Sequence, residues 1–156
     1  MKKKLLLLIP LLAIIFLTGC TKKSITVEEF ISSFDTSKYK VEKNNSLIEG
    51  VNSSACAGNT EFQIEFYEMK DKNYAKDLFK KQKEEFNSVK TSVSAQNSIK
   101  SNNYESYELM TNGRYMYNCR VDNTIIYVNA NEKDKDEVKS LIDKLGYQTI
   151  FIKIWF

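Results

Sequence analysis

Three cysteines (Cys20, Cys56 and Cys119) and two carboxylates two positions either side of Gln63 (Glu61 and Glu65) are the residues whose type and spacing could carry chemistry. The chain contains no histidine. That absence removes Ser-His-Asp and Cys-His catalysis, HExxH metal sites and most zinc sites together. A lysine-assisted serine hydrolase or a two-carboxylate glycosidase would still be chemically open, but neither leaves a motif here. Glu61 and Glu65 share one face of an alternating strand, which suits exposure to solvent or cross-strand pairing with Arg114 or Arg120 better than a catalytic dyad. There is no glycine-rich phosphate loop. The run 129–134 lacks the glycine of a calcium loop and puts Lys133 at a ligand position. The sequence therefore implies no catalytic residue, no metal and no cofactor.

Cys20 belongs to a different kind of pattern. Lys2, Lys3 and Lys4 precede an apolar run from Leu5 to Leu17, shorter than the roughly 20 residues that cross a bilayer. A basic start, a short apolar stretch and small residues at its end form a signal peptide. The ending Leu17-Thr18-Gly19-Cys20 resembles the lipobox of bacterial lipoproteins. The resemblance implies that residues 1–19 are removed, that the Cys20 thiol is acylated, and that the domain is held at the extracytoplasmic face of the cell membrane. An ordinary secretory signal or an uncleaved anchor are the competing readings.

Removing that leader changes the remaining charge. The net charge of +3 equals the three leader lysines, so the mature chain is neutral. A neutral domain lacks the general attraction that nucleic-acid binding needs, so no nucleic-acid partner is expected. Residues 20–25 form the lipidated cysteine and a short tether, which fully extended reaches roughly 17 Å beyond Cys20. Lys22 and Lys23 would lie at headgroup level, each worth about 1 kcal/mol against anionic lipid, or would serve only to solubilise the tether. With Cys20 acylated, Cys56 and Cys119 remain in a compartment that permits bridges. A Cys56–Cys119 disulfide, worth roughly 4 kcal/mol in the chain-entropy account, and an inert buried thiol at Cys119 are both consistent with the spacing.

The elements that must position these residues follow from periodicity. Thr26 and Glu29 are placed as a capping box, with Val27, Phe30, Ile31 and Phe34 at helical spacing after it. A second helix opens near Asp71 and carries Ala75, Leu78, Phe79, Gln82, Phe86 and Val89 on or near one stripe. A third is expected over about 131–145, closed by Gly146. Phe62, Ile64 and Phe66 alternate with Glu61, Gln63 and Glu65 as a half-buried strand, and residues 38–43 read as a weaker one. Asn112-Gly113 is a two-residue hairpin turn and Asp122-Asn123 a second of equal length. That register puts Met110, Tyr115, Tyr117, Cys119, Val121, Ile126 and Val128 on one face. Tyr107, Leu109, Arg114, Met116, Asn118, Arg120, Ile125 and Tyr127 fall on the other. Residues 89–103, rich in Ser, Asn and Gln, read as a loop.

The predicted order is α-β-β-α-β-β-β-α: an α+β domain over residues 26–148, with an antiparallel sheet of about four to five strands and helices on one face. Residues 149–156, TIFIKIWF, form an apolar tail that suits an added edge strand or a membrane-surface contact. The uncovered face, with Tyr107, Arg114, Asn118, Arg120 and Tyr127, is the candidate binding face, because rigid aromatic rings beside fixed cations recur at recognition sites; an ordinary exposed sheet face whose aromatics cover their cross-strand neighbours is the competing and preferred reading. The run EFYEMKDKNYAKDLFKKQK, the segment RVDNTIIYVNA and KSLIDKLGY are together similar to a group of small, uncharacterised lipoproteins of Gram-positive bacteria. That resemblance implies the fold and the surface address and supplies no catalytic residue. The functional readings are thus a non-enzymatic binding domain for a protein or envelope ligand, an accessory subunit of a membrane complex, or an unrecognised enzyme.

Overall fold

The computed structural model describes residues 21–147; the leader, Cys20 and the 149–156 tail lie outside them. The first helix, α1 (Val27–Ser32), starts where Glu29 N–H donates to the Thr26 hydroxyl and Thr26 N–H donates to the Glu29 carboxylate. This is the expected reciprocal cap. Three strands follow: β1 (Lys40–Asn44), β2 (Val51–Gly58) and β3 (Gln63–Met69). Helix α2 (Lys72–Ser88) begins on Asp71, whose carboxylate accepts from the N–H groups of Asn73 and Tyr74. Four further strands, β4 (Ala95–Lys100), β5 (Tyr104–Thr111), β6 (Arg114–Val121) and β7 (Thr124–Asn131), form a meander. A 3-10 turn over Glu132–Asp134 leads into α3 (Lys135–Lys144). Gly146, at φ +76°, ends that helix, with Tyr147 N–H donating to Ile142 O and Gly146 N–H to Asp143 O. These are the two bonds of a Schellman cap.

The strands make one seven-stranded antiparallel sheet in the order β1-β2-β3-β7-β6-β5-β4. Both hairpin turns have the expected length. Thr111 pairs with Arg114 and Val121 with Thr124, and Asn112, Gly113 and Asp122 all take positive φ. The two faces of the meander are therefore divided as the alternation predicts, Tyr115, Tyr117, Cys119, Val121, Ile126 and Val128 on one side, Leu109, Met116 and Ile125 on the other.

Two expectations are corrected. The sheet has seven strands rather than four or five, because VNSSACAG and AQNSIK also pair. The first hides its identity in small residues: Ala55 and Ala57 lie fully buried in the core that α1 shares, where no large side chain announces a strand. The second is an edge strand of which only Ile99 packs against the core, so polar residues are tolerated everywhere else.

The helices are also not on one side. Val27 and Phe30 of α1 join Val138, Leu141 and Ile142 of α3 on the face with Phe66, Tyr117 and Cys119. Ala75, Leu78, Phe79 and Phe86 of α2 cover the opposite face with Met69, Leu109, Met116 and Ile125. The domain has three layers, helix-sheet-helix, and its central strands are buried on both faces. Among the described residues, no helix is long and apolar enough to cross a membrane.

The loop into β2 turns at Gly50, φ +81°, where an added Cβ would lie 2.2 Å from Cδ1 of Tyr74 on α2. Gly113 has a similar φ, +70°, with nothing within 4 Å of such a Cβ. Gly50→Ala should therefore lower stability by more than about 1 kcal/mol, and by more than Gly113→Ala does. Urea unfolding of both variants checks this; equal losses would show that the Tyr74 contact is irrelevant.

Candidate functional site

The face expected to be open lies beneath α2. Tyr107 is 2% exposed, and its hydroxyl sits 2.7 Å from Asn87 Oδ1 and 3.0 Å from Gln96 Oε1, tying α2 to β4. Asn118 is fully buried and donates through Nδ2 to the Phe79 carbonyl, 3.1 Å away, inside α2. Tyr127 is half-buried against the Phe86 ring at 5.3 Å. Burial, then the nearby Glu85 and Glu65, pushes its hydroxyl pKa up to about 12. Arg114 is at the far end of β6, where its guanidinium is taken up by the side chains of Asn129 and Asn131 and the Asn129 carbonyl. The five residues therefore do not share an open sheet face: Tyr107, Asn118 and Arg120 are buried. Polar alternation on β6 predicts solvent exposure, whereas these side chains hydrogen-bond to main-chain and side-chain groups of packed elements.

The other sequence candidates also separate. Glu61 pairs with Lys133, and Glu65 accepts from the Tyr67 hydroxyl, so neither meets Arg114 or Arg120 and they make no dyad. Cys56 pairs in register with Glu65, while Cys119 pairs with Ile126 in the core on the opposite face of the sheet. Both thiols are free. The disulfide expectation fails because their side chains leave the sheet in opposite directions, with β3 and β7 between their strands.

Arg120 leads to a different site. It is 2% exposed at the end of β6, where it lines a cleft of about 440 Å³ between α2 and the β4–β5 turn. Lys76, Lys80 and Lys83 reach this cleft from one side of α2, and Lys100 from β4. Their spacing of four and three residues is that of a single helical face. Asp77 and Glu105 also line it, leaving positive charge in excess. Glu105 lies 4.0 Å from Lys100, and the Lys83 ammonium sits 4.9 Å from the Tyr107 ring centroid.

Next to the cleft, Asn103 holds Lys22, a residue that precedes α1. Asn103 follows the cleft residues Ser101 and Asn102 and receives Lys22 N–H at 3.3 Å, while its own Nδ2 donates to Lys22 O at 2.7 Å. The same amide group donates to the Asp122 carboxylate at 2.9 Å. The Lys22 ammonium donates to the Gly146 carbonyl and stands 4.2 Å from the Tyr104 ring centroid; burial draws its pKa down. Ile25 N–H donates to the Tyr147 hydroxyl. Asp122, ion-paired to Lys72 of α2 at 2.7 Å, is held below the usual carboxylate range by Lys72 first and Asn103 second. Asn103, Lys76, Lys80 and Lys100 escaped sequence reasoning because a polar loop and a lysine-rich helix face ordinarily mean solvent. The lysine spacing on α2 was the available signal.

No family model matches the chain, and no curated protein matches it. A solved structure, the GTP binding regulator from Thermotoga maritima, is similar in fold, with a TM-score of 0.50 over 81% of this chain and 91% of that one at 16% identity. That likeness is one of architecture.

Two measurements test this arrangement. Site-resolved alkylation should modify Cys56 in the native protein and leave Cys119 at least tenfold slower, with both thiols reactive after denaturation without reductant; equal native rates would place Cys119 outside the core. Burial also pushes the Cys119 thiol from an ordinary 9.0 up to about 12, and raises the hydroxyls of Tyr67, Tyr115 and Tyr147. These groups ionise more readily when unfolded, so the stability they contribute is complete below their ordinary values and is lost as pH rises toward the folded ones. The urea midpoint should fall steadily above about pH 9; a midpoint that is flat to pH 12 would contradict their burial.

Proposed function

We propose that this protein is a lipid-anchored domain on the extracytoplasmic face of the cell membrane that acts by binding rather than by catalysis. The Leu17-Thr18-Gly19-Cys20 ending supports the anchor. The single observation that carries the arrangement is the reciprocal pairing of Lys22 with Asn103. Because both main-chain groups of Lys22 are engaged, the tether does not swing: only Thr21 stands between an acylated Cys20 and the docked residue. Two residues span about 7 Å, so the β4–β5 turn and its cleft lie at headgroup depth. Two acyl chains are enough for stable attachment.

Binding is favoured over catalysis by the missing histidine and by the separate engagement of Glu61 and Glu65. The regulatory role in the name of the Thermotoga maritima protein is not carried over, since a fold shared at 16% identity does not transfer a site.

Metabolic labelling with a palmitate analogue tests the anchor. The wild-type chain should carry the label and sediment with membranes; Cys20→Ala should lose both, and label surviving that substitution would overturn the reading. Asn103→Ala tests the docking. It removes two hydrogen bonds to Lys22, each worth about 1 kcal/mol, so cleavage by a lysine-specific protease at Lys22 and Lys23 should accelerate by roughly tenfold or more. An unchanged rate would mean the tether is not held.

A further inference from the structure

Arg120 is a charged side chain 2% exposed, and its guanidinium is only partly satisfied. Both of its hydrogen bonds come from Nη1, to the carbonyls of Asp122 at 3.1 Å and Asn103 at 3.4 Å. Nε is buried and has no partner. A buried cation left this way is costly unless an anion completes it. No nearby carboxylate bonds to it directly. Asp122 directs its oxygens to Lys72 and Asn103. Glu105, which faces Arg120 across the β5–β6 pair, is drawn to Lys100 instead. Among the described residues, no carboxylate lies within 4.0 Å of a nitrogen of Arg120.

The unused donors of Arg120 form the edge of the guanidinium, Nε with Nη2, that matches two oxygens of one anion. Around it the cleft adds Lys76, Lys80 and Lys100 against Asp77 and Glu105, with Lys80 also 3.9 Å from Glu84 on the exposed side of α2. A carboxylate ligand would be exhausted by the Arg120 edge. A phosphate has further oxygens to meet the lysines, and its charge matches the excess. The site is made of side chains, since the N-terminus of α2 is already capped by Asp71.

We propose that this cleft binds a phosphate group, received on the free edge of Arg120 and flanked by Lys76, Lys80 and Lys100. Its source is either the headgroup of an anionic phospholipid or a soluble phosphate. The headgroup source rests on the lipid-anchored reading, which brings the β4–β5 turn to the bilayer; the site itself does not.

Lysine acetylation footprinting of the full chain, read by mass spectrometry, tests this. The protein is exchanged into nonionic detergent and compared alone, with inorganic phosphate, and after reconstitution in phosphatidylglycerol or phosphatidylcholine vesicles. Protection of Lys76, Lys80 and Lys100 by threefold or more relative to Lys38, which lies outside the cleft, is the expected result in at least one arm. Inorganic phosphate sufficing identifies a soluble source; phosphatidylglycerol alone identifies the headgroup. Arg120→Met should abolish the protection. Should that variant not fold, the exposed pair Lys76→Gln and Lys80→Gln should abolish it at Lys100. No selective protection in any arm, or protection that survives these substitutions, overturns the proposal. If Cys20 carries the palmitate label and no arm protects, the site falls while the anchor stands; protection by phosphate without label has the opposite meaning.

Discussion

Burial of the central strands from both sides is the constraint on which this structure depends. Strands β3, β7 and β6 present apolar residues alternately to two cores, one shared with α1 and α3 and one with α2. Phe66 and Tyr67, or Ile125 and Ile126, are neighbours in the chain and belong to different cores. A sheet filled on both faces cannot slip by one residue without exchanging its cores, so the two short hairpin turns and the packing specify the same register. The edges are where polar sequence is admitted, in β1 with Lys40 and Lys43 and in β4 with Lys100.

That two-sided burial also explains why polar residues on β6 are not a surface. Asn118 and Arg120 point toward α2, where each donates to backbone carbonyls, while Asn118 Oδ1 and Arg120 Nε are buried without a partner. Asn118 bonds into the helix that covers it. Arg120, nearer the end of the strand, is compensated on one side only, and the helix above it supplies lysines where a neutralising carboxylate would be expected. The excess of positive charge in this cleft is therefore a product of how β4, β6 and α2 come together.

Beside the cleft, Asn103 links parts of the chain that are distant in sequence. Asn103 holds Lys22 and Asp122, Asp122 holds Lys72, and Lys22 reaches Gly146 just beyond α3. Segments far apart in sequence thus close together at one end of the sheet.

Local chemistry was legible without the fold. The Thr26–Glu29 cap, the Asp71 start of α2, the Gly146 stop and the Asn112-Gly113 turn depend on bonds within a few residues, so residue type alone determined them. Alternation likewise determined which residues of β5, β6 and β7 share a face. What alternation does not carry is which face receives a helix, because a buried Asn118 hydrogen-bonded to Phe79 and a solvated asparagine read alike. It could not reveal β2, whose alanines bury well but signal weakly, nor β4, whose edge position excuses its polarity. Tertiary structure alone decided that Cys56 and Cys119 leave opposite faces, that Arg120 keeps one unpaired edge, and that Lys76, Lys80 and Lys100 converge on it. Those outcomes rest on strand order and on the side from which α2 packs, which are long-range contacts that no short stretch of residues encodes.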